Sequence, residues 1–247
     1  MTVKMEELTW KEVENEIESG KDTVLILLGS IEQHGPHLPL NTDTLISQEL
    51  GTRVAKKLGD ALVAPVIRPG CSEHHLDFSG TISFPEELMV KIINEYCVSL
   101  DKHGFRYIVL IPFHGGNFDP VKKAKKKIKG SLKNAELIVF TDLELMMNKI
   151  QEGMKKELDD YKETMIHAGG GETAVVRAID EKLVREDKIE KGYEGELSLS
   201  DLFVKGLKYF TQNGVLGDPS NVTSEAGNSV LETISDYYVN NIKDQRK

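Results

Sequence analysis

Cysteine is scarce: Cys71 and Cys97 are the two among 247 residues. They stand apart and form no C-x-x-C pair, so a disulfide framework is not expected and a reducing cytoplasm fits best. Long apolar runs are missing as well. No stretch approaches ~18 consecutive apolar residues, which argues against a membrane span. The opening MTVKMEELTW is charged from Lys4 onward and lacks the apolar centre of a signal peptide. The closing DQRK is no lipidation signal. Basic charge is in deficit, with 31 Lys and Arg against 40 Asp and Glu and a net charge of −9. An acidic surface repels phosphate backbones, so nucleic acid is not expected as a partner. No repeat, low-complexity segment or Gly/Ser/Pro-rich linker interrupts the chain, which reads as one domain over residues 1–247. G-x-x-x-x-G-K-[ST] is also absent. AGGGET resembles a phosphate loop only loosely and follows no clear strand, which weighs against a nucleotide-binding oxidoreductase.

What is present is a rhythm. TWKEVENEIESG carries a capping box from Thr9 to Glu12 and ends in Gly20, a short helix. TVLILL (23–28) is a continuous apolar run, as in a strand covered on both faces. Thr42 is placed to cap a helix running to about residue 59. ALVAPVI (61–67) reads as a second strand. A helix from SFPEE follows, with Ser83 as its cap and Pro85 near its start. RYIVLIPF (106–113) and AELIVFT (135–141) supply two more strands. Between them, VKKAKKKIKGSLK (121–133) places Val121, Ala124, Ile128 and Leu132 on one helical stripe and its seven lysines mostly on the other face, a solvated surface. Strands alternating with helices give an α/β fold: three layers, α/β/α, around a mostly parallel central sheet. From about residue 142 the pattern is mostly helical. GVLGDPSNVTSEAGNS (214–229) reads as a loop before a last helix, and whether a strand occurs after residue 185 is left open by the pattern. Trp10 is expected to pack, and Met146, Met147 and Met154 to belong to the core.

Ligands in open parallel sheets bind outside the carboxyl ends of the strands. Three loops fall there: GSIEQHGPHLPLNTD (29–43) after the first strand, RPGCSEHH after the second and FHGGN (113–117) after the third. Together they hold five of the seven histidines. In an extended loop Glu32 and His34 point the same way, because side chains alternate. Asp43 sits at a helix start, where a carboxylate is stabilised, and Pro36 and Pro39 stiffen the path to it. His114 arrives from the neighbouring loop, and HAGGGET (167–173) adds His167 and Glu172. Taken singly, each has an ordinary explanation as a loop histidine or a helix-start carboxylate. As a set of imidazoles and carboxylates without thiolate, they suit Zn, Mn or Fe. Glu32, His34, Asp43, His114 and Glu172 suffice for two divalent ions, with Asp43 as a bridge. Such centres activate a water and polarise a carbonyl. Cys71 reads as a loop cysteine rather than a nucleophile.

At GSIEQHGPHLPLNTD, SEHHLDFSGTIS, FHGGN and HAGGGET the chain resembles the creatininase family of metal-dependent amidohydrolases. The resemblance implies an α/β/α domain, a dinuclear metal centre and a homo-oligomer, often a hexamer. It implies hydrolysis of a non-peptide or cyclic C–N amide bond in a small molecule. Relatives of that family include creatinine amidohydrolases, a deformylase of flavin-type biosynthesis and a peptidase trimming a cofactor-precursor peptide. It matches Glu32, His34, Asp43, His114 and Glu172 to metal-ligand positions and His167 to a proton-handling histidine. Two departures argue against creatinine itself. Creatininases carry a glutamate where this chain has Gly116, and tryptophans enclose creatinine where this chain, with only Trp10, has none. Without a carboxylate at 116, the base must be another group, with Glu73 as the candidate, or the metal-bound hydroxide itself. A metal-binding homologue that has lost catalysis is the alternative that Gly116 favours.

Overall fold

The computed structural model describes residues 2–128, 130–163 and 167–246. Helix α1 (Trp10–Glu18) starts from the expected reciprocal Thr9–Glu12 capping box. Strand β1 (Thr23–Leu28) follows, then α2 (Thr42–Leu58), β2 (Ala61–Val63), α3 (Glu86–Asp101), β3 (Tyr107–Pro112), α4 (Phe118–Ile128) and β4 (Glu136–Val139). Helices α5 (Leu143–Met154), α6 (Gly170–Asp180), α7 (Leu199–Lys205) and α8 (Ser224–Gln245) complete the order. The sheet runs β2-β1-β3-β4 and every pairing is parallel, with Val24 beside both Leu62 and Ile108.

β1 is buried along its whole length because alternate residues feed two cores. Leu25 and Leu27, with Val63, Val109 and Ile111, pack under α2, α5, α6 and α8. Val24, Ile26 and Leu28, with Leu62, Ile108 and Leu110, pack under α3 and α4. The result is the three-layer arrangement with helices on both faces. In α4, Val121, Ala124 and Ile128 are buried while Lys122, Lys125, Lys126 and Lys127 face solvent.

Several local expectations are corrected. Thr42 is the first residue of α2 rather than its cap, and its hydroxyl donates to the Pro39 carbonyl at 2.7 Å. Ser83 does not cap α3; it accepts the Ser72 N–H at 2.8 Å, and Pro85 holds the cap position. The second strand is regular only over three residues, because Pro65 supplies no N–H to a ladder. The 214–229 segment is loop only as far as Thr223, whose side chain accepts the Ala226 N–H and starts α8. After residue 185 the described residues contain helices and single bridges, no strand. Trp10 is 73% exposed and is no packing residue. Met146 and Met154 are buried as expected, and Met147 joins Met146 in lining a cleft.

Candidate metal centre

The chain turns sharply at the end of β1. A Cβ on Gly29 would fall 2.7 Å from the Thr44 backbone, so glycine lets this loop lie directly on the start of α2. The loop folds back through Glu32 N–H to Leu40 O at 2.9 Å. Glu32 and His34 both enter the cluster. Asp43 lies in the first turn of α2, where its Oδ2 accepts the Ser30 hydroxyl at 2.6 Å. His114 follows β3. Glu172 lies in the first turn of α6, and its Oε2 accepts the Ala168 N–H at 2.6 Å.

These five side chains are brought together and buried. His114 Nδ1 lies 3.2 Å from Glu32 Oε1 and 3.2 Å from Asp43 Oδ2. His34 Nε2 lies 3.4 Å from Asp43 Oδ1 and 3.7 Å from Glu172 Oε2. Each oxygen of Asp43 therefore faces a different group. Glu32, Asp43 and His114 form one set able to hold an ion, and His34, Asp43 and Glu172 form another. A third set, Glu32, His34 and His167, shares Glu32 with the first and His34 with the second.

The outer nitrogens explain the aim of the rings. His34 Nδ1 sits 3.1 Å from the Glu32 carbonyl, and His114 Nε2 sits 3.1 Å from the Cys71 carbonyl. A neutral ring that donates to a carbonyl from its outer nitrogen turns the lone pair of the other nitrogen inward. Both oxygens of Glu32 and His34 Nε2 are buried without a hydrogen-bond partner. Buried polar atoms are normally paired, so orphans converging on one point fit a missing cationic ligand.

Charge tells the same story. Burial alone would lower the His34 pKa, but Asp43, Glu172 and Glu32 outweigh it and raise it to about 10. His114 is likewise raised well above the usual imidazole range, against burial, by Glu32 and Asp43. Burial would raise Asp43, yet His34 and His114 hold it well below the carboxylate range. Burial pushes Glu172 up to about 7 despite His34. Among the described residues three carboxylates line the cleft and no lysine or arginine does. The set therefore favours positive charge at its centre, whether as protons on His34 and His114 or as a cation.

His167 joins the cluster edge, with Nδ1 3.9 Å from Glu32 Oε1. Burial and the neighbouring His34 depress its pKa well below the usual value. Glu73 is not brought in. It starts a short 3-10 turn, Glu73–His75, with its side chain exposed, because the turn directs the two residues after it inward instead. His75 takes the inward place, its Nε2 3.5 Å from Glu32 Oε1. Sequence reasoning also passed over Gln33 and Glu163. Glu163 is buried and accepts N–H groups of Gly170 and Gly171 at 2.9 and 3.3 Å, holding the start of α6. The cleft's far wall is apolar: Leu143, Met146, Met147, Leu199, Leu202 and Phe203.

The family model described as "Creatininase: Creatinine amidohydrolase" matches residues 6–242. The chain belongs to the creatininase family. Family and relatives are hydrolases. A mycofactocin precursor peptide peptidase of Mycobacterium ulcerans (strain Agy99) is 30% identical over 230 residues, 89% of this chain and 84% of that protein. A creatinine amidohydrolase of Pseudomonas putida is 24% identical over 241 residues, 92% of this chain and 90% of its own. A crystal structure of creatininase superposes with a TM-score of 0.85 at 22% identity, covering 99% of this chain and 98% of that one. Solved creatininases include a manganese form and a zinc–zinc form. Within the creatininase frame, Gly116 has a local cause here. A Cβ at 116 would lie 2.0 Å from the Cys71 carbonyl oxygen, the atom that receives His114 Nε2. A glutamate cannot enter without moving that carbonyl.

Proposed function

We propose that this creatininase-family chain, as one domain over residues 1–247, is a two-metal hydrolase of an amide C–N bond in a small molecule other than creatinine. The observation that carries the reading is the sharing of Asp43 between two ligand sets, with orphaned Glu32 and His34 atoms beside them. Glu32, Asp43 and His114 would hold one ion, and His34, Asp43 and Glu172 the other. Bound there, two divalent ions (Zn, Mn or Fe) would supply an activated water and a charge for the developing oxyanion. The chain's own residues orient and exclude. The apolar wall of Leu143, Met147, Leu199 and Phe203 fits an uncharged, apolar group beside the scissile bond and keeps water from it. His167 handles a proton at Nδ1, the atom that faces the cluster. Glu73, exposed, has no part in this scheme, and among the described residues that line the cleft no carboxylate lies outside the ligand set.

Metal content of the purified chain and of Asp43→Ala tests the reading, together with turnover of a panel of amides, formamides and short peptides bearing apolar groups. About two ions per chain, lost in the variant along with turnover, is the expected result. A folded, metal-free protein that gains nothing on reconstitution would sink it. Bound metal with no turnover on any panel member would favour the non-catalytic homologue that Gly116 suggests.

A further inference from the structure

Gln33 lies between two of the ligand residues, and the scheme above gives it no role. Two backbone groups decide which end of its buried amide is which. The Gly35 N–H donates to Oε1 at 2.9 Å, and Nε2 donates to the Gly214 carbonyl at 3.1 Å. A flipped amide would set donor against donor and acceptor against acceptor. Gly214 is shaped to this arrangement: its φ is +79°, and a Cβ there would lie 1.9 Å from Gln33 Oε1. One Nε2 hydrogen is thus committed to Gly214. The other faces His167 Nε2 at 2.7 Å and His75 Nδ1 at 3.1 Å.

A ring nitrogen that accepts an amide hydrogen keeps its lone pair there. In a neutral imidazole the proton then sits on the other nitrogen. For His167 that nitrogen is Nδ1, facing the cluster. The competitor is the backbone carbonyl of Gln33, 3.0 Å from His167 Nε2. A hydrogen on Nε2 pointing there would lie against the fixed amide N–H at the shorter distance. His34 and His114 are placed the opposite way, with their outer nitrogens against carbonyls, so that the inner nitrogen is the one left bare whenever the ring is neutral.

We propose that Gln33 is a positioning residue that fixes the His167 tautomer, so that an N–H rather than a lone pair faces the cluster. Resting on the proposed function, this makes His167 a hydrogen donor to substrate and removes the third ligand set as an ion site. It leaves the two sets that share Asp43.

The test is the solid-state nitrogen-15 spectrum of zinc-incubated protein carrying ring-labelled histidine, with His167 assigned by its loss in His167→Asn. The expected spectrum has a protonated Nδ1 and a bare Nε2. Gln33→Met keeps the length and removes the donor. His167 then moves its proton to Nε2, and kcat falls about 10- to 100-fold, the usual cost of a lost orienting partner, with KM and zinc per chain unchanged. Gln33→Glu, which offers an acceptor instead, makes the same switch and serves if the methionine variant does not fold. A protonated Nε2 in the unaltered protein, or an unmoved proton in both variants, overturns the proposal. A switch without loss of kcat overturns its role in turnover. The spectrum needs no substrate, so a chain that hydrolyses nothing would sink the functional reading while the Gln33 assignment stood or fell separately.

Discussion

At the scale of single residues, the cluster is a set of atoms waiting for positive charge. In the ion-free chain His34 is raised to about 10 and His114 well above its ordinary value, so both carry a proton at neutral pH. Ion binding needs their lone pairs and must expel those protons. Affinity should therefore climb as pH rises and fall as pH drops. Calorimetry of zinc or manganese binding in buffers of different ionisation enthalpy should show net proton release at pH 7, from the two imidazoles and in part from Glu172. Release of none would mean that the imidazoles are not ligands. Much of this site was legible in the sequence, because Glu32, His34, Asp43, His114 and Glu172 fall in loops and helix starts at one sheet edge. Glu73, offered as a base because position 116 lacks a carboxylate, stays outside the cluster because it opens a 3-10 turn. There the two neighbours His74 and His75 both turn inward while Glu73 stays exposed, and no sequence pattern announces the turn. Gln33 was passed over for a different reason. An uncharged amide carries no chemistry of its own, and its importance comes from partners as distant in sequence as His167 and Gly214.

At the scale of elements, α6 presents Glu172 to the site, and Glu163 anchors that helix. Its carboxyl takes the Gly170 and Gly171 N–H groups and the Tyr161 hydroxyl. Burial nevertheless pushes its pKa from 4.5 up to about 7. Below pH 4.5 the folded and unfolded chains both hold this proton. Between pH 4.5 and 7 only the folded chain keeps it, so this group's contribution to stability falls as pH rises, by about 3 kcal/mol in all. Glu163→Gln keeps the shape without the titration. Denaturant unfolding from pH 4.5 to 8 should show the unaltered protein losing that increment relative to the variant, and parallel curves would refute it. Sequence legibility divides along similar lines. The capping box of α1, the apolar run of β1 and the lysine face of α4 are local signals, and they held. Strand β2 shrank because Pro65 interrupts it. The start of α8 lay inside an apparent loop because Thr223 caps with a short local hydrogen bond that glycine, proline and asparagine nearby disguise as a turn. Glu163 gave no signal, since no sequence pattern marks the convergence of Tyr161, Gly170 and Gly171, two to eight residues away, on its carboxyl.

At the scale of the whole molecule, the charge balance and the apolar surface point in different directions. No described helix is long and apolar enough to cross a membrane. Yet Leu76, Phe203, Val204 and Tyr209 are exposed on α7 and the turns packed beside it. The family resemblance implies a homo-oligomer, often a hexamer, and the expected outcome is that this surface is buried against copies of the chain. Light scattering after gel filtration should give a mass near six times 27.6 kDa, reduced in Val204→Glu. A monomer at micromolar concentration would overturn the assembly. The strand order has a last consequence, one of timing. β1 pairs along both edges with strands that follow it in the chain, and one of its faces is roofed by helices that include α8. A ribosome delivers TVLILL early, with two open edges and two bare faces, and delivers the end of its cover more than two hundred residues later. Until then it is a sticky segment in search of partners, and translation speed and chaperone supply govern how much chain reaches the folded state.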